Sequence, residues 1–493
     1  MCGIIGYIGF RNAREVLIEG LKRLEYRGYD SAGIGSIVDG RLRVFKGVGE
    51  ISNLEEDIPN FKSKIGIGHT RWATHGEVNR ENAHPHLSCD KKIAIVHNGN
   101  VTNYNTLRDR IENNFKRMLY STNDVEAILN IFAEAVSRNI KSGKLSFNGI
   151  LKAVKTVFDE VKGAYSVISY IRGYGMVAFK DPYGIRPLVI AEKHDEIRPK
   201  YAISSESVAL ISLGYKEFRD IEPAEVVFID EKDRKLYSGK VESYKGVPHT
   251  PCLFEWVYFA RPDSHIDKVN VYRTRVYLGQ FLGEKIKNSG LEVDVVVPVP
   301  DSSRDAALEV ARILKVPYRE GLVKNRYIGR TFIMPGEDAR RASVRQKLNP
   351  IRDELKGKKV LIVDDSIVRG NTSRNIVEMV REAGAEKVYF ASYSPKIISP
   401  CFYGIDMQTR GEFVAKGKNE DEIAKILNAD AVFYQSLDDL KRAVRMCNPK
   451  LKDFCDACFT GKYPTPEITE ELIVEIEESR KSASKGKNYG GLF

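Results

Sequence analysis

Fourteen consecutive residues, Val360-Leu361-Ile362-Val363-Asp364-Asp365-Ser366-Ile367-Val368-Arg369-Gly370-Asn371-Thr372-Ser373, restrict what this chain can fold into more than any other stretch. Four apolar residues follow a Lys-rich turn at 356–359, which predicts a strand buried on both faces of a parallel sheet. Two carboxylates stand at its C-terminal end, the side on which open α/β sheets take ligands. A short loop with one Gly and several hydroxyls comes next, and Arg374 to Gly384 reads as a helix. Backbone N–H groups and the Thr372 and Ser373 hydroxyls near its start form a nest suited to a phosphate. The paired acids would repel a bare phosphate. The ligand must therefore also carry hydroxyls that need acceptors, or a Mg²⁺ that needs oxygen ligands. A phosphorylated sugar with free ribose hydroxyls meets both demands. No GxxxxGK[ST] stands here, so an ordinary nucleoside-triphosphate loop is set aside. The plainer alternative is a buried strand ending in two helix-capping acids.

The stretch resembles the phosphoribosyl pyrophosphate (PRPP) loop of type I phosphoribosyltransferases. Asn371 stands where those relatives usually have Thr, another short hydrogen-bonding side chain. The resemblance implies a 5′-phosphate in the Ser366–Ser373 loop and ribose hydroxyls on the acid pair. It assigns PRPP contacts to Asp364, Asp365, Ser366, Val368, Arg369, Gly370, Asn371, Thr372 and Ser373.

At 493 residues the chain is too long for one core. With 42% hydrophobic residues a folded protein is expected. No apolar run approaches the ~18 residues of a membrane span, and the opening Met-Cys-Gly-Ile-Ile-Gly lacks the basic region of a signal peptide, so cytoplasm is the expected compartment. The net charge of +10 is concentrated: residues 319–347 hold eight basic residues against three acidic. That suits a small polyanion such as pyrophosphate. A nucleic-acid partner, which would want aromatics interleaved with a broad basic face, is not expected. Seven cysteines, an odd number spread over a long chain, argue against a disulfide framework and for metal ligation or catalysis.

Cys2 can become the N-terminal residue once Met1 is removed. An α-amine of pKa ~7.7–8.0 then lies beside a thiol and can serve as its base. Five ordered stretches surround this reading: Cys2-Gly3-Ile4-Ile5-Gly6, Leu24 to Ile34, Gly68 to Gly76, His97-Asn98-Gly99 and Ser121-Thr122-Asn123-Asp124. Together they resemble the glutamine amidotransferase domain of the N-terminal-nucleophile hydrolases, whose fold is an αββα sandwich. Runs at 65–67, 93–97 and 167–171 suit its strands, and 125–139 and 148–162 are helix-like. The resemblance implies Cys2 as nucleophile, with the Asn98 side chain and the Gly99 N–H holding the oxyanion. Arg71 would take the α-carboxylate of glutamine and Asp124 its α-ammonium, with Arg27 and Gly28 lining the pocket. Asn98-Gly99 is also the strongest short hairpin signal, and a tight turn there would expose an N–H as well. His69, His75 and His97 show no metal spacing and read as hydrogen-bonded structural residues.

The composition turns polar between Asp230 and Pro251, the expected domain boundary. Cys252 to Ser264 resembles the connector of the glutamine PRPP amidotransferase family, so both halves and their junction match one family in order. The expected organisation is an amidotransferase sandwich over 2–235, a connector over 236–270, a parallel α/β phosphoribosyltransferase domain over 271–465 and a tail over 466–493. The tail reads as an acidic helix, 467–480, then a disordered end. Val295 to Pro300 predicts a strand whose following helix opens at Asp301 to Asp305 and turns its N–H groups to a pyrophosphate. The resemblance implies Mg²⁺ at Ser302, Asp364 and Asp365, and PRPP contacts at Ser303, Lys324, Arg326 and Arg330, the last three in a basic loop that closes over the substrate.

Cys455-Asp456-Ala457-Cys458 is a CxxC, which with Cys252 and Cys401 matches the [4Fe–4S] ligands of one branch of the family. Thiolate spacing alone leaves zinc open; the resemblance favours iron–sulfur, in a structural role. Cys447 is a possible substitute ligand. The implied activity is glutamine hydrolysis with internal transfer of ammonia to PRPP, feedback by purine nucleotides, and a homo-oligomer, dimer or tetramer. Two competitors remain: an amidotransferase joined to a sugar-phosphate isomerase, and a PRPP-binding regulator without turnover.

Overall fold

The structure is a computed structural model that describes residues 1–74, 76–194, 198–324, 348–407, 410–474 and 478. Two antiparallel sheets form the first half. One runs in the order Phe218–Asp220, Val189–Lys193, Lys200–Ser204, Gly3–Ile8, Ile65–Arg71, Ser31–Val38, Arg41–Val48. The other runs Leu236–Lys240, Glu225–Asp230, Gly175–Lys180, Gly163–Ile171, Ile93–Val101, His86–Leu87. Strands buried on both sides need apolar residues of both parities, and Gly3–Ile8 and Gly163–Ile171 are buried throughout. Ile4, Ile67, Val96 and Ile168 fill the space between the sheets. Helix Ala13–Leu24 covers the outer face of the first sheet through Val16, Leu17 and Leu21. Helices Val125–Asn139 and Phe147–Glu160 cover the second through Ile128, Phe132 and Val154. This is the αββα sandwich expected. Leu236–Lys240, within the expected connector, pairs with Glu225–Asp230, so the sheet extends past residue 235.

The second half is built on a parallel sheet ordered Val295–Pro298, Lys359–Asp364, Lys387–Ser392, Ala431–Tyr434. Helices Val271–Asn288 and Arg304–Leu314 pack on one face, while Asn371–Glu382 and Glu420–Leu427 pack on the other. Val360 to Val363 are fully buried, because parallel sheets are covered on both sides. The strand Val295–Pro298 is two residues shorter than expected. Helix Asn371–Glu382 starts three residues earlier than Arg374. The tail helix is described from residue 470, and most of the expected tail lies outside the described residues. No helix among the described residues is long and apolar enough to cross a membrane.

Candidate active sites

Cys2 immediately precedes the central strand Gly3–Ile8, so the sandwich fixes it from both sides. Its N–H donates to Asn98 Oδ1 at 3.2 Å, its carbonyl accepts from Arg27 Nε at 2.9 Å, and its Sγ lies 3.6 Å from the Trp72 carbonyl. With Asn98 Oδ1 taken, Asn98 Nδ2 is a buried donor that has no partner among the described residues. An orphaned buried amide costs on the order of 1–3 kcal/mol, which a ligand oxygen would recover.

The Asn98-Gly99 pair is not a hairpin turn. Both residues continue the strand Ile93–Val101, opposite Ser166 and Tyr165, because sheet pairing on that flank outweighs the local turn preference. Gly99 is nonetheless required: its φ is +146° and a Cβ there would stand 1.9 Å from the Ala164 carbonyl oxygen. Gly28 admits no side chain either, since a Cβ would meet the Arg71–Trp72 peptide at 2.4 Å.

Arg71 ends the strand Ile65–Arg71, buried, with Nη1 donating to the Glu77 carbonyl at 3.0 Å. Burial lowers its pKa, opposed by the nearby Cys2, Asp124 and Asp30. Asp124 stands at the start of helix Val125–Asn139 and accepts from the Val101 N–H at 2.9 Å. The Cys2 thiol, the Arg71 guanidinium, the Asp124 carboxyl group and the Asn98–Gly99 segment thus converge. Arg27 lies beside Cys2, with Nε on the Cys2 carbonyl at 2.9 Å. Its guanidinium is 1% exposed and engaged by Glu206 and Glu255. Sequence reading also missed His84 and His86, which join His69 and His97 in a buried ring cluster; the His69 and His84 rings stack at 4.0 Å. Burial depresses the pKa of His69, His84 and His86, so these three remain neutral. His75 lies outside the described residues.

At the second site Asp364 ends its strand and Asp365 follows. Ser302 Oγ donates to Asp365 Oδ2 at 2.5 Å, Ser366 Oγ to Asp365 Oδ1 at 2.6 Å, and Ser303 Oγ to Asp364 Oδ1 at 3.3 Å. Burial, and then repulsion by Asp365, raises Asp364 well above the ordinary carboxyl range; burial raises Asp365 as well. Such a pair is short of positive charge. Gly370, at φ +83°, turns the chain into the helix Asn371–Glu382. Asn371, Thr372 and Ser373 therefore form its first turn, whose N–H groups lack intrahelical acceptors. Arg369 pairs with Glu412 at 2.7 Å and the Val368 carbonyl accepts from Val414 N at 3.0 Å. Lys324 Nζ reaches Asp301 at 3.1 Å, across from the acid pair's loop. Arg326 and Arg330 lie outside the described residues.

Arg275, not anticipated, stands close enough to lower Asp365 by its charge, and its guanidinium binds the carbonyls of Trp256, Tyr258 and Ala260 at 3.0, 3.2 and 2.7 Å. Tyr393 Oη lies 2.9 Å from the Val257 carbonyl and 3.1 Å from that of Ser302. The connector turn Glu255–Phe259 therefore touches both sites.

Cys252, Cys401, Cys455 and Cys458 are buried free thiols within one core cluster. Residues 252 and 455 form an isolated parallel bridge, and Arg186 Nε and Nη2 lie buried without partners among the described residues, in the field of Cys252, Cys401 and Cys455. Two guanidinium nitrogens left without hydrogen-bond partners beside buried thiols fit anionic thiolates around an inorganic group. No three His, Cys, Asp or Glu side chains among the described residues form a ready single-ion site. Cys447, partly buried, packs against the same core cluster and lies 3.8 Å from Thr274 Oγ1.

A glutamine amidotransferase domain family matches residues 69–212 and a phosphoribosyl transferase domain family residues 278–396. The chain is 43% identical to an amidophosphoribosyltransferase of Pasteurella multocida, over 99% of this chain and 97% of that one. It is 44% identical to an Escherichia coli relative of the same name, over 98% and 97%. Among solved structures it resembles the glutamine PRPP amidotransferase of B. subtilis complexed with ADP and GMP, with TM-score 0.82 and 36% identity over 95% of this chain and 98% of that one.

Proposed function

The chain belongs to the amidophosphoribosyltransferase family, and from that premise we propose how its residues divide the work. The enzyme releases ammonia from glutamine and joins it to PRPP, giving 5-phosphoribosylamine, pyrophosphate and glutamate, the first committed step of purine nucleotide synthesis. The observation that carries the residue assignment is the Cys2 N–H···Asn98 contact, which leaves Asn98 Nδ2 unpartnered beside Gly99.

With Met1 removed, the Cys2 amine sits on Asn98 Oδ1 and takes the thiol proton. The thiolate attacks the glutamine amide carbon, and Asn98 Nδ2 with the Gly99 N–H receives the oxyanion, a contribution of about 3–4 kcal/mol per donor. Arg71 and Asp124 hold the α-carboxylate and α-ammonium. Ammonia departs, and water releases glutamate from the thioester. At the second site the first turn of Asn371–Glu382 binds the 5′-phosphate and the acid pair orients the ribose. Ser302, Asp364 and Asp365 would hold Mg²⁺, which when bound neutralises the departing pyrophosphate. Ammonia must reach C1 without meeting bulk water, where protonation would remove its lone pair. The buried connector between the sites supports that route.

The four thiols would hold a [4Fe–4S] cluster that staples connector, second domain and C-terminal segment. Zinc would use the same four thiols, and it is the likeness to the cluster-bearing branch of the family that favours iron–sulfur. The reading also includes a cytoplasmic homo-oligomer, dimer or tetramer, inhibited by purine nucleotides; the ADP and GMP with which the B. subtilis relative is complexed support the nucleotide part.

The test is glutamate and 5-phosphoribosylamine release by anaerobically purified enzyme given glutamine and Mg²⁺-PRPP. Equal product release without PRPP, or none with it, would overturn the reading. Iron and sulfide near four per chain are expected in the same preparation; stoichiometric zinc would replace the cluster assignment.

A further inference from the structure

We infer that the glutamine site is held in its reactive geometry from outside its own sheets, by Glu255 behind the nucleophile and by the Phe402–Gly404 backbone behind the oxyanion strand. This rests on the glutaminase reading above and adds positioning residues to it.

The first hold runs through Arg27. Its Nε binds the Cys2 carbonyl at 2.9 Å, while Nη1 and Nη2 reach the two oxygens of Glu255 at 3.1 and 2.8 Å. Nη1 also engages Glu206, whose other oxygen accepts from Arg261 N and Ser264 Oγ of the connector at 3.1 and 2.6 Å. Arg186 Nη1 lies 3.4 Å from Glu255, so two cations and two anions balance in a site from which water is excluded. A guanidinium keeps its charge and presents a rigid fork, so the carboxylates decide where it points. Glu255 and the two groups that bind the other oxygen of Glu206 belong to the connector. The carbonyl that Arg27 holds belongs to the residue bearing the thiol.

The second hold is a close backbone approach. Gly404 has φ +103°, and a Cβ there would stand 2.9, 3.0 and 3.1 Å from the O, C and Cα of Gly99. Asn100 Nδ2 donates to the Phe402 carbonyl at 3.0 Å. The strand segment carrying both oxyanion donors is therefore backed by a loop some three hundred residues away, |i−j| being 302 for the Asn100 contact. A displacement near 1 Å at a reacting centre costs roughly a hundredfold in rate, so small shifts in either hold are felt.

The test compares Glu255→Gln, Gly404→Ala and Asn100→Ala in the full-length, metal-loaded enzyme with Met1 removed. Asn100→Ala carries no backbone strain and stands in should Gly404→Ala fail to fold. Three quantities are read: glutamine-supported turnover, ammonia-supported turnover, and the rate at which iodoacetamide alkylates Cys2, followed by peptide mass spectrometry. Glu255→Gln is expected to lower glutamine-supported kcat about 10- to 100-fold and to change the alkylation rate. Gly404→Ala and Asn100→Ala are expected to lower that kcat with the KM for glutamine within about twofold, and to leave alkylation unchanged, since displacement at a saturated carbon builds no oxyanion. Ammonia-supported turnover should hold in all three. Wild-type glutamine turnover in the variants, or a common fall in all three quantities, overturns the inference. Absence of glutamine turnover in the wild type would instead overturn the reading on which it rests.

Discussion

Replacing Cys2 with Ala is expected to remove glutamine-supported synthesis down to the assay floor while ammonia-supported synthesis continues. Loss of a nucleophile that works as part of a unit costs on the order of 10⁶ in kcat, because the remaining donors cannot create a covalent path. The second site shares no side chain with the first. Its acid pair is reached through the connector turn and Arg275, neither of which contacts the Cys2 thiol. Ammonia added at alkaline pH, where the neutral form is abundant, therefore still finds C1 of PRPP. Glutamate release and 5-phosphoribosylamine formation from either nitrogen source would be followed side by side. Loss of the ammonia reaction as well would show that the two half-sites are not separable in this way. Intact mass of the wild type supplies the companion check: retained Met1 leaves Cys2 with an amide nitrogen, and such molecules should not hydrolyse glutamine.

Asp365→Asn should act on the other half and on both nitrogen sources alike. Removing one partner of a buried charged set costs about 3–5 kcal/mol, so PRPP turnover should fall roughly 10²- to 10⁴-fold, by the conversion of 1.36 kcal/mol per decade. The same substitution carries an opposite sign for stability. Burial raises the Asp365 carboxyl, which means that folding favours its neutral form. The charge is thus a cost that grows as pH rises above the ordinary carboxyl range and is fully present at pH 7 once the carboxyl has ionised. A neutral isostere removes that cost, and the Ser302 and Ser366 hydroxyls can rotate to accept from the new amide. The metal-free variant should melt at or above the wild-type temperature. Mg²⁺-PRPP should raise the melting temperature of the wild type and leave the variant nearly unmoved. A variant that melts well below wild type would mean that the acid pair serves the fold rather than the ligand.

A stability deficit carried at the acid pair explains why this site was so readable along the chain. Two adjacent aspartates after four buried aliphatics, with a Gly and three hydrogen-bonding residues beyond, violate what a strand end wants unless a ligand is present. The helix Asn371–Glu382 starts three residues before the expected Arg374, since Asn371, Thr372 and Ser373 have poor helix propensity. On the proposed function, the free N–H groups of that turn would take the 5′-phosphate. At Asn98-Gly99 the local signal misled: the strongest hairpin dipeptide continues a strand, because Ser166 and Tyr165 pair with it from across the sheet.

Along the chain itself stood Cys2, the acid pair, the CxxC and the buried parallel strand, each legible within a short window, while the αββα architecture and the part expected of Cys2 came from the resemblance carried by five ordered motifs. The coupling of the two halves was not there to be read. Arg27 finds Glu255 at a separation of 228 residues, and Gly404 finds Gly99 across a gap wide enough only for a hydrogen. Charges so far apart in sequence leave no local pattern. Their pairing is set by where two separately built cores come to rest against the connector, and that is a property of packed surfaces and excluded water, not of any segment alone.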